Sequence, residues 1–146
     1  MSISLRTVTV ICGVSILTSG CAFFEPDYPD QVTKSAAEGL QHVSSLVASA
    51  QLGDFKGPES YESAATRYAD ALAQIEVTRS WVSRRADGDD NWPATKAAKI
   101  LASSLTECSE GVTDMAQEHQ AAGLGTSNAY SLVQVTCAIP INDILQ

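Results

Sequence analysis

The chain has 146 residues, 9 Lys and Arg against 17 Asp and Glu, and a net charge of −8. That length suits one domain with a buried core and is short for two. The acidic balance repels nucleic acid and anionic lipid headgroups, which excludes DNA or RNA binding driven by a basic surface.

In chain order, the first element reads as an export segment. Arg6 is the only charged residue before Glu25, and an uncharged run rich in Val and Ile extends from Thr7 to Leu17. Thr18, Ser19 and Gly20 then lead to Cys21. A weakly basic start, a short apolar core and a small-residue end form a three-part export pattern. The charge holds the amino end in the cytoplasm, the core partitions into the bilayer, and the small residues fit a narrow peptidase site. A retained membrane helix and an ordinary cleaved signal are the two competing readings. Against the first, Thr, Ser and Gly shorten the apolar core below the roughly 20 residues that a span needs.

Leu17-Thr18-Ser19-Gly20-Cys21 resembles the lipobox of bacterial lipoproteins. The resemblance covers only the amino-terminal part of the chain, and Thr18 stands where that family usually has Leu, Val or Ile. It implies removal of residues 1–20 by a dedicated peptidase, diacylglycerol on the Cys21 thiol, and acylation of the new amino group. Membrane attachment would then rest on acyl chains, two of which suffice for stable anchoring. Many Gram-negative lipoproteins with Asp after the lipidated cysteine stay in the inner membrane. Ala22 at that position implies the outer membrane, facing the periplasm, if the host is Gram-negative.

Cys12 lies inside the export segment and leaves with it. With Cys21 lipidated, Cys108 and Cys137 remain of the four cysteines. An even pair in an exported domain reads as one disulfide, with two free buried thiols as the alternative.

Residues 21–29 read as a tether. Two prolines, Pro26 and Pro29, make it poor helix, and its length reaches roughly 25 Å at about 3.3–3.6 Å per residue. Phe23 and Phe24 either enter the membrane interface or pack on the domain. From residue 30 to 146 the pattern is helical. Val32, Ala36, Leu40, Val43, Val47 and Ala50 recur three or four apart, and Gly53 stops this first helix. Asp54-Phe55-Lys56-Gly57 connects to a second helix that opens at Pro58, Glu59 and Glu62. Its stripe is Tyr61, Ala65, Tyr68, Leu72, Ile75 and Val82, and Arg84 and Arg85 complement its carboxyl end. Asp87-Gly88-Asp89-Asp90-Asn91 forms a turn.

Pro93 begins a third helix with the stripe Ala97, Leu101, Leu105, Cys108, Val112, Met115 and Ala122. Gly123-Leu124-Gly125 ends it. Thr126 or Ser127 caps a fourth helix carrying Ala129, Leu132, Val133 and Cys137, which Pro140 is expected to stop. Four amphipathic helices with short links and no alternating strand pattern predict an all-α, four-helix, up-and-down antiparallel bundle. Cys108 and Cys137 lie nearly equidistant from Gly123, so an antiparallel hairpin of helices three and four brings them side by side.

Motifs for chemistry are sparse. The histidines, His42 and His119, belong to no His-Glu-x-x-His pattern, and no Cys-x-x-Cys occurs, so nothing calls for zinc, haem or another cofactor. Both read as satisfied core or boundary histidines. Asp87, Asp89, Asp90 and Asn91 offer oxygens, but an EF-hand register would need Gly at Trp92 and Glu at Ala98. No nucleophile elbow or phosphate loop is present. Trp81 and Trp92 flank the acidic turn and are the candidate aromatics for partner contact.

Two functional readings follow. One is a non-enzymatic envelope lipoprotein that binds, scaffolds or blocks another envelope protein, its acidic surface complementing a basic partner. The alternative is an enzyme or small-ligand carrier with a pocket between the helices. A closed apolar interior favours the first; a concave pocket with convergent polar groups favours the second.

Overall fold

A computed structural model describes residues 28–89 and 93–145. The export segment, Cys21, the tether through Asp27, the turn residues Asp90, Asn91 and Trp92, and Gln146 lie outside the described residues. Four helices follow one another: α1 (Asp30–Leu52), α2 (Tyr61–Ala86), α3 (Pro93–Ala122) and α4 (Ala129–Leu145). A 3-10 turn, Pro58–Ser60, leads into α2. Each helix packs on its neighbour in sequence and α4 packs back on α1, which makes a four-helix up-and-down antiparallel bundle. None of the described helices is long and apolar enough to cross a membrane.

Local chemistry sets the ends of α1. The Pro29 carbonyl accepts the Val32 and Thr33 N–H groups at 2.7 and 3.3 Å, and Asp30 places negative charge in the first turn. At the other end Gly53 adopts φ 84°, its N–H donating to Ala50 O while the Asp54 N–H donates to Ser49 O. This pair of bonds is the Schellman closure, and its left-handed residue is one that glycine adopts without a Cβ penalty. Arg67 of α2 then clamps the same end, its guanidinium donating to Ser45 O at 2.7 Å and to the Ser45 and Ser49 hydroxyls.

The apolar stripes meet in one core. Val32, Ala36, Val43, Val47 and Ala50 of α1 are buried as their spacing predicts, and Leu46 joins them. In α2 and α3 the stripe is rotated slightly from the expected one. Ala64, Ala71 and Ala98 are buried, whereas Ala65 and Leu72 are half-buried and Ala97 and Ala122 are exposed. Runs of adjacent alanines make this error natural, because neighbouring methyl groups carry little information about phase. Two connector residues also enter the core, Phe55 and Leu124, although both lie between helices.

Pro140 does not stop α4; the helix continues through it to Leu145. The proline lacks the N–H that would reach the Thr136 carbonyl, a real local loss. Against it, Pro140, Ile141 and Ile144 are all buried, and taking such side chains out of water contributes about 1.5–3 kcal/mol for each large aliphatic. Tertiary packing thus outweighs the missing ladder bond. Leu132 is likewise not on the buried face: it is exposed, and Val133 and Cys137 face the core instead. Asn128 takes the N-cap position, its carbonyl accepting the Ser131 and Leu132 N–H groups, and the Ser127 hydroxyl oxygen accepts the Ala129 N–H at 2.9 Å from one residue earlier than a cap.

Candidate functional site

Of the sequence-predicted site residues, Cys21 and Trp92 lie outside the described residues. Trp81 is half-buried against the core, with the Arg84 guanidinium 4.8 Å above its ring, so it is less exposed than expected. Cys108 and Cys137 are joined in a disulfide with Cα atoms 4.7 Å apart, and both are fully buried. The hairpin is nevertheless asymmetric. Cys108 lies 14 residues before the end of α3 and Cys137 only 8 after the start of α4 (122 − 108; 137 − 129). At 1.5 Å per residue, α3 therefore overshoots α4 by about 9 Å. The connector from Gly123 to Asn128 descends along this overhang.

The overhang meets the α1–α2 connector. Leu124 N–H donates to the Phe55 carbonyl, and Gly123, at φ 77°, lies so close to Lys56 and Gly57 that a Cβ would sit 2.3 Å from Lys56 O. Beneath this contact His119, read from the sequence as a satisfied core or boundary histidine, sits in a polar cluster whose other members the sequence did not name. His119 of α3 is fully buried, with Tyr68 Oη 3.2 Å from Nδ1 and Ser60 Oγ 2.8 Å from Nε2. The Ser60 hydroxyl also donates to Gly57 O at 2.7 Å. Each hydroxyl has one proton, so one assignment satisfies all four groups. Tyr68 donates to Nδ1, the Nε2–H donates to Ser60, and Ser60 donates to Gly57. The rings of Phe55 and Tyr61 complete the enclosure, at 4.5 and 5.5 Å from the imidazole.

A serine beside a histidine invites comparison with a nucleophile and its base. In this assignment the serine proton goes to a carbonyl and the facing imidazole nitrogen carries its own hydrogen, which leaves Ser60 without a base. It ties the 3-10 turn, α2 and α3 together. Burial lowers the His119 pKa, partly offset by the nearby Glu59 charge, and raises that of Tyr68. Stability should therefore fall with acid. An unfolded histidine takes up a proton near pH 6.5, while the folded one resists until lower pH. Between these values the unfolded chain binds more protons, so unfolding becomes easier as pH drops below about 6.5, and is unaffected by this group above it. Urea denaturation at pH 5 and 7.5 checks this. His119→Gln, which does not titrate, should lose the part of the slope that His119 supplies; an unchanged slope would contradict the assignment.

A second feature runs along the outside of the α3–α4 hairpin. Leu132, Val135 and Ile139 are 63, 58 and 61 % exposed, and they fall on one face of α4. With Ala129, Ser127, Asn128 and Ser131, Leu132 and Val135 line an open groove whose far wall is Glu118 of α3. Glu107, Asp114 and Glu118 are exposed and recur at helical spacing on α3, flanking Gly111, the point where α3 touches Val133 and Thr136. The groove thus sets Leu132 and Val135 of α4 against Glu118 of α3, and the acidic row of α3 continues beyond it.

Among the described residues, no three His, Cys, Asp or Glu side chains gather where they could hold a metal ion. Asp90 and Asn91 of the acidic turn lie outside the described residues. Compared with protein-family models, curated proteins and solved structures, the chain matches none of them.

Proposed function

We propose that this protein is a bacterial envelope lipoprotein, held to the membrane by lipid on Cys21, whose bundle binds another envelope protein and does no chemistry on it. The observation that carries the anchoring is the run from Thr7 to Leu17 followed by Thr18-Ser19-Gly20-Cys21. The Cys108–Cys137 disulfide supports export, since such bonds persist in oxidising compartments. Ala22 favours the outer membrane, facing the periplasm, where the host has one. The binding role is supported by the contrast between the two faces of the bundle. The buried core is mostly apolar around the satisfied His119 cluster, and the α3–α4 surface combines exposed aliphatics with exposed acids.

Cys21→Ser is the test. The variant should lose incorporation of radioactive palmitate and leave the membrane fraction, or accumulate as uncut precursor. Wild-type labelling and maturation in the variant would defeat the anchoring. Pull-down of the lipidated protein from solubilised membranes should recover a protein partner in stoichiometric amount, and recovery of the bundle alone would count against the binding role.

A further inference from the structure

The sequence of α4 is unusual for a surface helix. Its only charged residue is Asp143, and apolar side chains occupy both faces. Val133, Cys137, Ile141 and Ile144 fill the core, while Leu132, Val135 and Ile139 stand in water on the other side. A helix apolar all round is normally covered all round. The three exposed residues form a ridge at i, i+3 and i+7, the spacing that a second helix accepts into its own groove. Along α3 and α4 beyond Lys99 the charge is of one sign. No Lys or Arg occurs after Lys99, whereas Glu107, Glu110, Asp114, Glu118 and Asp143 all follow it.

We infer that the α3–α4 face is a docking site for an amphipathic helix of another protein, one with aliphatic side chains along its contact stripe and Lys or Arg beside them. This rests on the envelope-binding reading and names the surface and the partner chemistry. The ridge of Leu132, Val135 and Ile139 receives the aliphatic stripe, and the basic side chains reach Glu107, Asp114 and Glu118. Charge complementarity selects this occupant. A second copy docked by the same face would set one acidic row against another. The chain's own tether is itself acidic, carrying Glu25 and Asp27. Anionic lipid is repelled for the same reason.

Site-specific photo-crosslinking in the cells that make the full chain tests this. Benzoylphenylalanine is placed at Leu132, Val135 or Ile139, with Leu52, an 80 % exposed residue of α1, as the control. Adducts should form from the three α4 positions and not from residue 52. A glutamyl protease digest should map them to a segment with Lys or Arg flanking apolar residues at helical spacing. Changing Glu107, Asp114 and Glu118 together to Gln should reduce the adduct by about fivefold or more, with an unaltered circular-dichroism spectrum. Adducts to a second copy, to residues 1–27, to phospholipid, or to a segment lacking basic residues would each overturn the proposal, as would no adduct. The same probe at Trp81 separates the two levels. A protein adduct there with none on α4 overturns this surface and leaves the envelope-binding reading standing.

Discussion

Removing the Cys108–Cys137 bond should lower the melting temperature by about 10–15 °C while leaving the helical circular-dichroism spectrum almost unchanged. The bond closes a separation of 29 residues. Restricting an unfolded loop of that size stabilises the folded state by about 3–4 kcal/mol in the chain-entropy model. The helices themselves do not depend on it, because α3 and α4 also pack on α2 and α1. The effect should therefore appear as lost stability and not as lost structure. Cys108→Ser adds the cost of a hydroxyl in a fully buried position, so the double change to alanine is the cleaner measurement of the cross-link. Reduction of the unaltered protein should agree with the double alanine variant to within a few degrees. A shift under about 2 °C would mean that the loop is already restrained when unfolded.

The second large effect should come from one methyl group. Gly123→Ala is expected to destabilise by about 2–4 kcal/mol, from two costs that add. Its φ of 77° is a conformation that side chains with a Cβ rarely adopt. Its Cβ would also fall 2.3 Å from Lys56 O and 2.6 Å from the Gly57 Cα, both backbone atoms that cannot swing aside. The two connectors must then separate, breaking the Leu124–Phe55 backbone bond and wetting two core side chains. Gly111→Ala supplies the contrast. Its Cβ meets Val133 and Thr136 at 3.5 and 3.6 Å, ordinary contact, and its helical position gains about 0.8–1 kcal/mol of propensity. Denaturant titration of the two variants should give shifts of opposite sign. Equal shifts would show that the connectors do not touch as described.

The bundle was legible because its strongest signals are physical and local. Val32, Ala36, Val43 and Val47 can share a face only in a helix, and Gly53 closes that helix by a conformation suited to glycine. The cysteine pair was legible by symmetry about the Gly123 turn, even though the hairpin is skewed. Pro140 misled because a proline is judged by its neighbours in sequence, while Ile141 and Ile144 are held by neighbours in space. The phase of α4 was hidden for a related reason: with aliphatics on both sides, its periodicity names no inside. The polar cluster was recoverable in part. His119 and Tyr61 lie equally far from Asp90, so the argument that paired the cysteines also places this histidine beside the start of α2. What no spacing could show was that Phe55 and Ser60, from a connector and a 3-10 turn, would close around it.

The one-sided charge of the hairpin has a further consequence, for proteolysis. Enzymes that cut after Lys or Arg find their last site in this chain at Lys99, in the second turn of α3. Everything from Ile100 onward, both disulfide cysteines included, is a single fragment to such a protease even when the chain is fully unfolded. Damage by that class of enzyme is confined to the chain up to Lys99. The same fact hides the disulfide from a tryptic map, where it would be a bond within one peptide. A protease that cuts after glutamate, at Glu107, Glu110 and Glu118, separates the cysteines and leaves the bond as the only link between their peptides.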